Sequence, residues 1–236
     1  MTDDLSTATL EPLLGERPVR CYPAVVSTEA DALAWARAGG PHGAVVAAEY
    51  QASPRGRAGF PWSTPPGRSL GFSVLLRPDL PAAREGWLYL VAASALADVA
   101  GDGTTIQWPD TVERAGKVVA QVAVQSDVDP TSVRWAVVSI LVPDTTPPRG
   151  PLLARAVESI EARRTSPPER LLADATARCG TIGRNVRARL VPMGPRGVVV
   201  EGRATGLNDE GSLLVETGSG RIQPVRPQDL GLLDVA

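Results

Sequence analysis

The sequence predicts an α+β fold: a mixed, mostly antiparallel sheet with helices, followed by a small barrel-like β-domain. Two observations carry this. Up to about residue 182, apolar strand runs and helical segments are interspersed along the chain. Beyond about residue 184 the texture shifts to short alternating strands, separated by Gly, Asn and Asp turns. A length of 236 residues, with 43% apolar and 21% charged, fits a globular chain of one large domain and a small satellite.

Taken in order, residues 1–16 read as a loose N-terminal arm. "VRCYPAVV" (19–26) reads as a strand. "STEADALAWARAGG" (27–40) reads as a helix, with Ser27 or Thr28 at the N-cap, acids in the first turn and two glycines at the stop. "GAVVAAEYQ" (43–51) is a buried strand and "SLGFSVLLRP" (69–78) another. A helix of about 15 residues lies within "PAAREGWLYLVAASALADVAGDG" and ends at its glycines. "TTIQWPD" and "KVVAQVAVQ" are two short strands around a turn, and "VRWAVVSILVP" (133–143) is a further one. The segments 152–164 and 168–180 read as helices behind proline-rich starts. The expected division is an arm over 1–16, a domain over 17–182 and a β-domain over 183–236.

Composition removes several function classes. A net charge of −2 gives no bulk attraction to DNA or to an anionic membrane. The run "WLYLVAASALADVA" is broken by Asp98, short of a membrane span. The N-terminal stretch is acidic and lacks a signal-peptide pattern, so the expected location is the cytoplasm. Cys21 and Cys179 form no CxxC pair. His42 is the single histidine, which argues against Cys/His zinc sites and most Ser-His-Asp triads. Chemistry is left to Arg, Lys, Asp and backbone amides, a set suited to phosphate or adenylate.

One loop supplies those groups. In "QASPRGRAGFPW" (51–62), Arg55 and Arg57 flank Gly56, and Gly59 follows. Glycine lets the main chain approach a ligand closely, while guanidinium offers planar charged donors for phosphate or carboxylate. By itself the triplet RGR also fits an ordinary solvated turn.

The surrounding register is more specific. Ser27 and Thr28, then Gln51, Arg55, Gly56, Arg57, Gly59, Trp62, Gly67, Leu70 and Ser73, fall in the order of a motif series that resembles the biotin protein ligase catalytic domain. "CGTIGRNVRARL" and "ATGLNDEGSLLVE" resemble that family's closing SH3-like domain, so the resemblance covers nearly the whole chain from about residue 20. It implies adenylation of biotin with ATP and Mg2+, then transfer of biotin to a lysine of a biotin carboxyl-carrier domain. It implies that Arg55, Gly56, Arg57 and Gly59 close over the adenylate. Gln51 and the Ser27–Thr28 turn would bind the biotin ring, Glu29 and Trp62 would border it, and Lys117 would meet carboxylate and phosphate. No N-terminal DNA-binding domain is expected, and homodimers are common in that family.

The register also departs from the family pattern. "QWPDT" (107–111) stands for KWPND: either Asp110 keeps the aspartate's place as the expected metal ligand, or it sits at the asparagine and Thr111 at the aspartate. Glu29 replaces an asparagine, Pro54 a loop glycine, and Ala120 a glycine after the lysine. "VVSILVP" lacks the family's glycines and asparagine. Besides an active ligase, the residues therefore suit a degenerate relative that binds biotin, an acyl ligand or a carrier domain, and, less well, a lipoate or octanoyl ligase.

Overall fold

The computed structural model of the chain describes residues 4–236. Among these, the helices are α1 (Thr7–Leu14), α2 (Thr28–Arg37), α3 (Trp87–Ala100), α4 (Gly150–Arg164) and α5 (Pro168–Arg178). The first seven strands are β1 (Val19–Tyr22), β2 (Val45–Ala48), β3 (Leu70–Leu76), β4 (Thr104–Gln107), β5 (Thr111–Arg114), β6 (Lys117–Val128) and β7 (Val133–Val142). They form one sheet in the order β1-β2-β3-β7-β6-β5-β4, in which only β1 and β2 run parallel. A second, wholly antiparallel sheet holds β8 (Asn185–Leu190), β9 (Val199–Leu207), β10 (Leu213–Thr217), β11 (Ile222–Val225) and β12 (Leu230–Val235), in the order β11-β10-β9-β8-β12. The α+β class read from the sequence is the observed one.

The large sheet is covered on both faces, which explains why β2 and β3 are apolar runs and not alternating ones. On one face, Ala32 and Ala36 of α2 pack against Val46, Leu75 and Val137. On the other, α3 lies against β4, β5 and β6 and shares the main core with Phe72, Val74 and Leu76. Every residue of α3 from Trp87 to Ala97 is buried, so it reads as apolar all round, as a helix between layers must. It ends at Gly101, whose φ of 90° suits glycine. Each fully buried leucine there, such as Leu88 or Leu90, contributes about 1.5–3 kcal/mol.

Two expectations need correction. The arm over 1–16 is not loose across its described part; residues 1–3 lie outside the described residues. Ser6 caps α1, its hydroxyl accepting the Thr9 N–H at 3.3 Å, and Leu10 and Leu14 are buried. Asp4, just before the helix, is bound to the buried Arg149 at the start of α4. The second correction is an extra strand: β5 lies where the sequence reads as a turn between "TTIQWPD" and "KVVAQVAVQ", and the first of these strands ends at Gln107. It is four residues long, too short for a period to show.

Candidate functional site

The loop end of α2 begins the site. Ser27 has extended backbone angles, and its hydroxyl accepts from the N–H groups of Glu29 and Ala30, as an N-cap should. Thr28 follows, buried. Its N–H and hydroxyl both donate to Gln51 Oε1, at 2.8 and 3.1 Å. The Thr28 hydroxyl also meets Ser73 Oγ at 2.9 Å, and Ser73 Oγ meets Ser139 Oγ at 2.9 Å. Ser73 shares its side of β3 with Leu75, and Ser139 shares its side of β7 with Val137. Both Leu75 and Val137 pack under α2, so the polar chain runs across the sheet face on that side. Gly71 makes room for it: a Cβ there would collide with Gln51 Nε2.

The chain reaches a carboxyl group. Burial raises the affinity of Glu29 for its proton, opposed by a hydrogen bond from Ser139, and the net shift is upward. Glu29 Oε2 is buried without a hydrogen-bond partner. A buried unpartnered acceptor is costly, of the order of 1–3 kcal/mol.

The arginine loop folds against a different set of groups. Arg55 and Pro61 form an isolated bridge, and Arg57–Gly59 makes a short 3-10 turn. Ala58 sits in the left-handed region at φ 54°, an unfavourable place for alanine by about 1 kcal/mol. Gly59 follows at φ 78°, where glycine is at ease. Gly56 is required by proximity: a Cβ would collide with the Trp62 indole. The two arginines then part. Arg55 is exposed and reaches only Gly59 O, at 3.4 Å. Arg57 is 11% exposed; its Nε donates to Asp110 Oδ2 at 2.6 Å and its Nη1 to the carbonyls of Leu230 and Gly231 on β12. The sequence suggested a loop waiting for an anion; the structure shows its inner arginine already bound to a carboxylate and to the second sheet.

Asp110 is the other half of that pair. Thr111 Oγ1 donates to Asp110 Oδ1 at 3.2 Å, so the carboxylate is the group presented to the loop and Thr111 only supports it. The neighbouring Trp108 is buried: its indole N–H donates to Gly211 O at 3.1 Å and its backbone N–H to Thr181 Oγ1 at 3.0 Å. Gln107 donates to Glu113 at 3.1 Å. Lys117 is not brought to these residues. It is exposed at the start of β6, paired in register with Arg114, and joined to none of them by a hydrogen bond or ion pair. Asp110 O accepts from Val122 N, five residues further on, roughly 16 Å along the strand.

Tyr89 of α3 reaches β6. Its hydroxyl lies 3.3 Å from the Val124 N–H. Burial drives its pKa up.

With this geometry in view, comparison with known proteins is informative. The model of the biotin protein ligase C-terminal domain matches residues 181–226. The bifunctional ligase/repressor BirA of Bacillus subtilis is 26% identical over 87% of this chain and 71% of its own length. The biotin protein ligase of Aquifex aeolicus, solved with biotin and ATP, superposes with a TM-score of 0.69 over 93% of this chain and 99% of its own, at 20% identity.

The chain is similar to biotin protein ligases along most of its length.

A biotin protein ligase-like protein of unknown function from Silicibacter also shares the fold, with a TM-score of 0.67 over 92% of this chain and 96% of its own, at 14% identity. The sequence alone had brought Thr28, Gln51 and Ser73 into one register. It passed over Ser139, Tyr89 and the β12 carbonyls. Ser139 did leave a signal: it is the one polar residue in "VVSILV", a strand otherwise apolar on both faces. No such signal marks Leu230 and Gly231, which offer only backbone carbonyls.

Proposed function

We propose that this protein activates the carboxylate of biotin with ATP and passes the biotinyl group to a lysine of a carboxyl-carrier domain. In the first step a carboxylate oxygen attacks the α-phosphorus of ATP and the bond to pyrophosphate breaks, leaving biotinyl-adenylate. In the second, the uncharged lysine amine attacks the acyl carbon, AMP leaves, and an amide and a proton result. The observation that carries this reading is the Arg57–Asp110 pair, made by the loop that follows Gln51, the residue at which the Thr28–Ser73–Ser139 chain ends. The chain offers fixed donors and acceptors for a polar ring. Arg57 offers a guanidinium already desolvated and aimed, which can exchange Asp110 for a phosphate oxygen of the adenylate.

The roles follow from position. Ser27 and the α2 N-terminus hold Thr28 in place, and Gln51 and Thr28 bind the ring. Gly56 and Gly59 let the loop close and Trp62 packs against it. Arg55, exposed, joins when the loop tightens on ligand. Lys117 acts only if the β5–β6 hairpin bends toward the site. Mg2+ fits sparsely. No group of three or more acidic, His or Cys side chains that could hold a metal occurs among the described residues. An ion carried by ATP takes most ligands from phosphate and water, and Asp110 can supply the one protein carboxylate after Arg57 releases it. No helix among the described residues is long and apolar enough to cross a membrane. We place the enzyme in the cytoplasm, acting on a carrier domain and not on DNA.

A second reading is favoured by the same ion pair: with Arg57 neutralised and Lys117 apart, the chain would bind the acyl ligand without activating it. Pyrophosphate release in the presence of biotin, ATP and Mg2+ separates the two. Biotin-dependent release is expected, and Arg57→Ala should slow it roughly ten- to a few-hundred-fold, the loss of one charge-assisted contact of about 1.5–3 kcal/mol. Biotin binding with no release from the wild-type protein would leave the binding-protein reading in place.

A further inference from the structure

A cavity of about 230 Å³ opens on the face of the large sheet turned away from the Thr28–Ser73–Ser139 chain. Successive strand residues face opposite sides, so Leu70 and Phe72 point away from Ser73. They form the floor with Ala120 of β6, while Leu96 of α3 and Leu152 and Ala156 of α4 form the walls. None of these side chains has a hydrogen-bonding atom, so the interior suits an apolar group better than water. A dry cavity of roughly 150 Å³ is enough for benzene. The volume here therefore accommodates a phenyl-sized group.

The lining side chains turn polar only at the mouth, with Arg114, Asp144 and Thr145. Arg114 is exposed, and its Nη1 donates to the Ala100 carbonyl at 2.7 Å. No carboxylate pairs with it among the described residues, so its Nε and Nη2 can present a fork of donors. Asp144 reaches Arg68 at 3.9 Å, with both side chains mostly in water, and such a pair contributes little. One cation and one anion thus border the same opening, and neither neutralises the other. An apolar carboxylate would suit Arg114 and be repelled by Asp144; an apolar amine would meet the reverse. A ligand carrying both charges complements both groups. We infer that this cavity binds an α-amino acid with a large apolar side chain. The side chain lies over Phe72 and against Leu96, the carboxylate meets Arg114 and the ammonium meets Asp144. The site is separate from the acyl-adenylate site and does not depend on it.

Titration calorimetry of the full chain with phenylalanine tests this. The controls are hydrocinnamate, which lacks the ammonium, and phenethylamine, which lacks the carboxylate. Phenylalanine should bind about tenfold more tightly than either, because each analogue loses one charged contact and meets one like charge. Arg114→Gln and Asp144→Asn are exposed substitutions that should fold, and each should weaken phenylalanine binding about three- to tenfold. Ala156→Leu puts bulk into the cavity and should weaken it as well. Its melting curve reports whether it folds, and the two exposed variants carry the test if it does not. Absence of saturable phenylalanine binding at millimolar concentration would overturn the inference. So would equal binding of hydrocinnamate or phenethylamine, or binding unchanged in both Arg114→Gln and Asp144→Asn. Each of these results leaves the acyl-adenylate reading where it stands.

Discussion

Replacing Arg149 by methionine is expected to lower the stability of the folded chain by about 3–5 kcal/mol, the usual effect of removing one partner from a buried ion cluster. Arg149 is 1% exposed and binds two carboxylates. Its backbone N–H and Nε donate to Asp4 Oδ2 at 2.6 and 3.0 Å, and its Nη2 to Asp4 Oδ1 at 2.6 Å. The guanidinium also binds Glu49, whose Oε1 accepts the Gly67 N–H at 3.0 Å, and the Ser69 carbonyl at 3.2 Å. One side chain thus ties the segment before α1, the end of β2 and the entry to β3. Without it, two desolvated carboxylates face each other. Chemical denaturation at unchanged slope should show the loss in the midpoint. A change under about 1 kcal/mol would mean that the cluster is not the clamp described.

The pH dependence of that loss has a definite sign. Burial pushes the Asp4 carboxyl up, but its hydrogen bonds to Arg149 and the guanidinium charge outweigh burial and hold it below the ordinary aspartate value. A depressed native pKa stabilises the fold above the unfolded value, and the contribution disappears as pH falls through the native one. The gap between wild type and Arg149→Met should therefore be full at neutral pH and narrow in acid, below the ordinary aspartate range.

Trp108→Ala is expected to have an effect of similar size, about 3–5 kcal/mol for a buried tryptophan. Its indole packs in the main core at 2% exposure, and its N–H satisfies Gly211 O. Gly211 is itself keyed: its φ is 84°, and a Cβ would lie 2.6 Å from the Gly86 carbonyl at the start of α3. The tryptophan therefore helps seat the β9–β10 connection on the large sheet's helical layer. Trp108→Phe keeps most of the apolar contact and loses one hydrogen bond, so about 1–2 kcal/mol should remain of the effect. Differential scanning calorimetry of the two variants measures both. Equal losses for Ala and Phe would assign the role to the hydrogen bond and contradict the packing argument.

Much of this fold is local enough to read from sequence. Ser27, the acids Glu29 and Asp31 and the paired glycines announce α2, because capping is a matter of neighbouring residues. The buried strands β2, β3 and β7 show as mostly apolar runs, interrupted by Ser73 and Ser139, because helices cover both faces of the sheet. What could not be read rests on distant partners. Helix α1 carries a proline at position 12 and only two buried leucines; Asp4 meets its partner across 145 positions. The Arg57–Asp110 pair spans 53 positions, and the β12 carbonyls lie 173 and 174 positions from Arg57. A motif register could place Arg57 and Asp110 near one ligand; it could not show that they hold each other.

That pairing is central: Arg57 is a largely buried guanidinium bound to Asp110, and its proposed role is to leave Asp110 for the phosphate of an acyl-adenylate. The most direct measurement is calorimetric titration of a non-hydrolysable biotinyl-adenylate analogue into the wild-type chain and into Arg57→Ala. The account predicts one analogue bound per chain, with affinity weakened roughly ten- to a hundredfold in the variant, about 1.5–3 kcal/mol. Binding of equal strength in both proteins, or no binding to the wild-type chain, would contradict it.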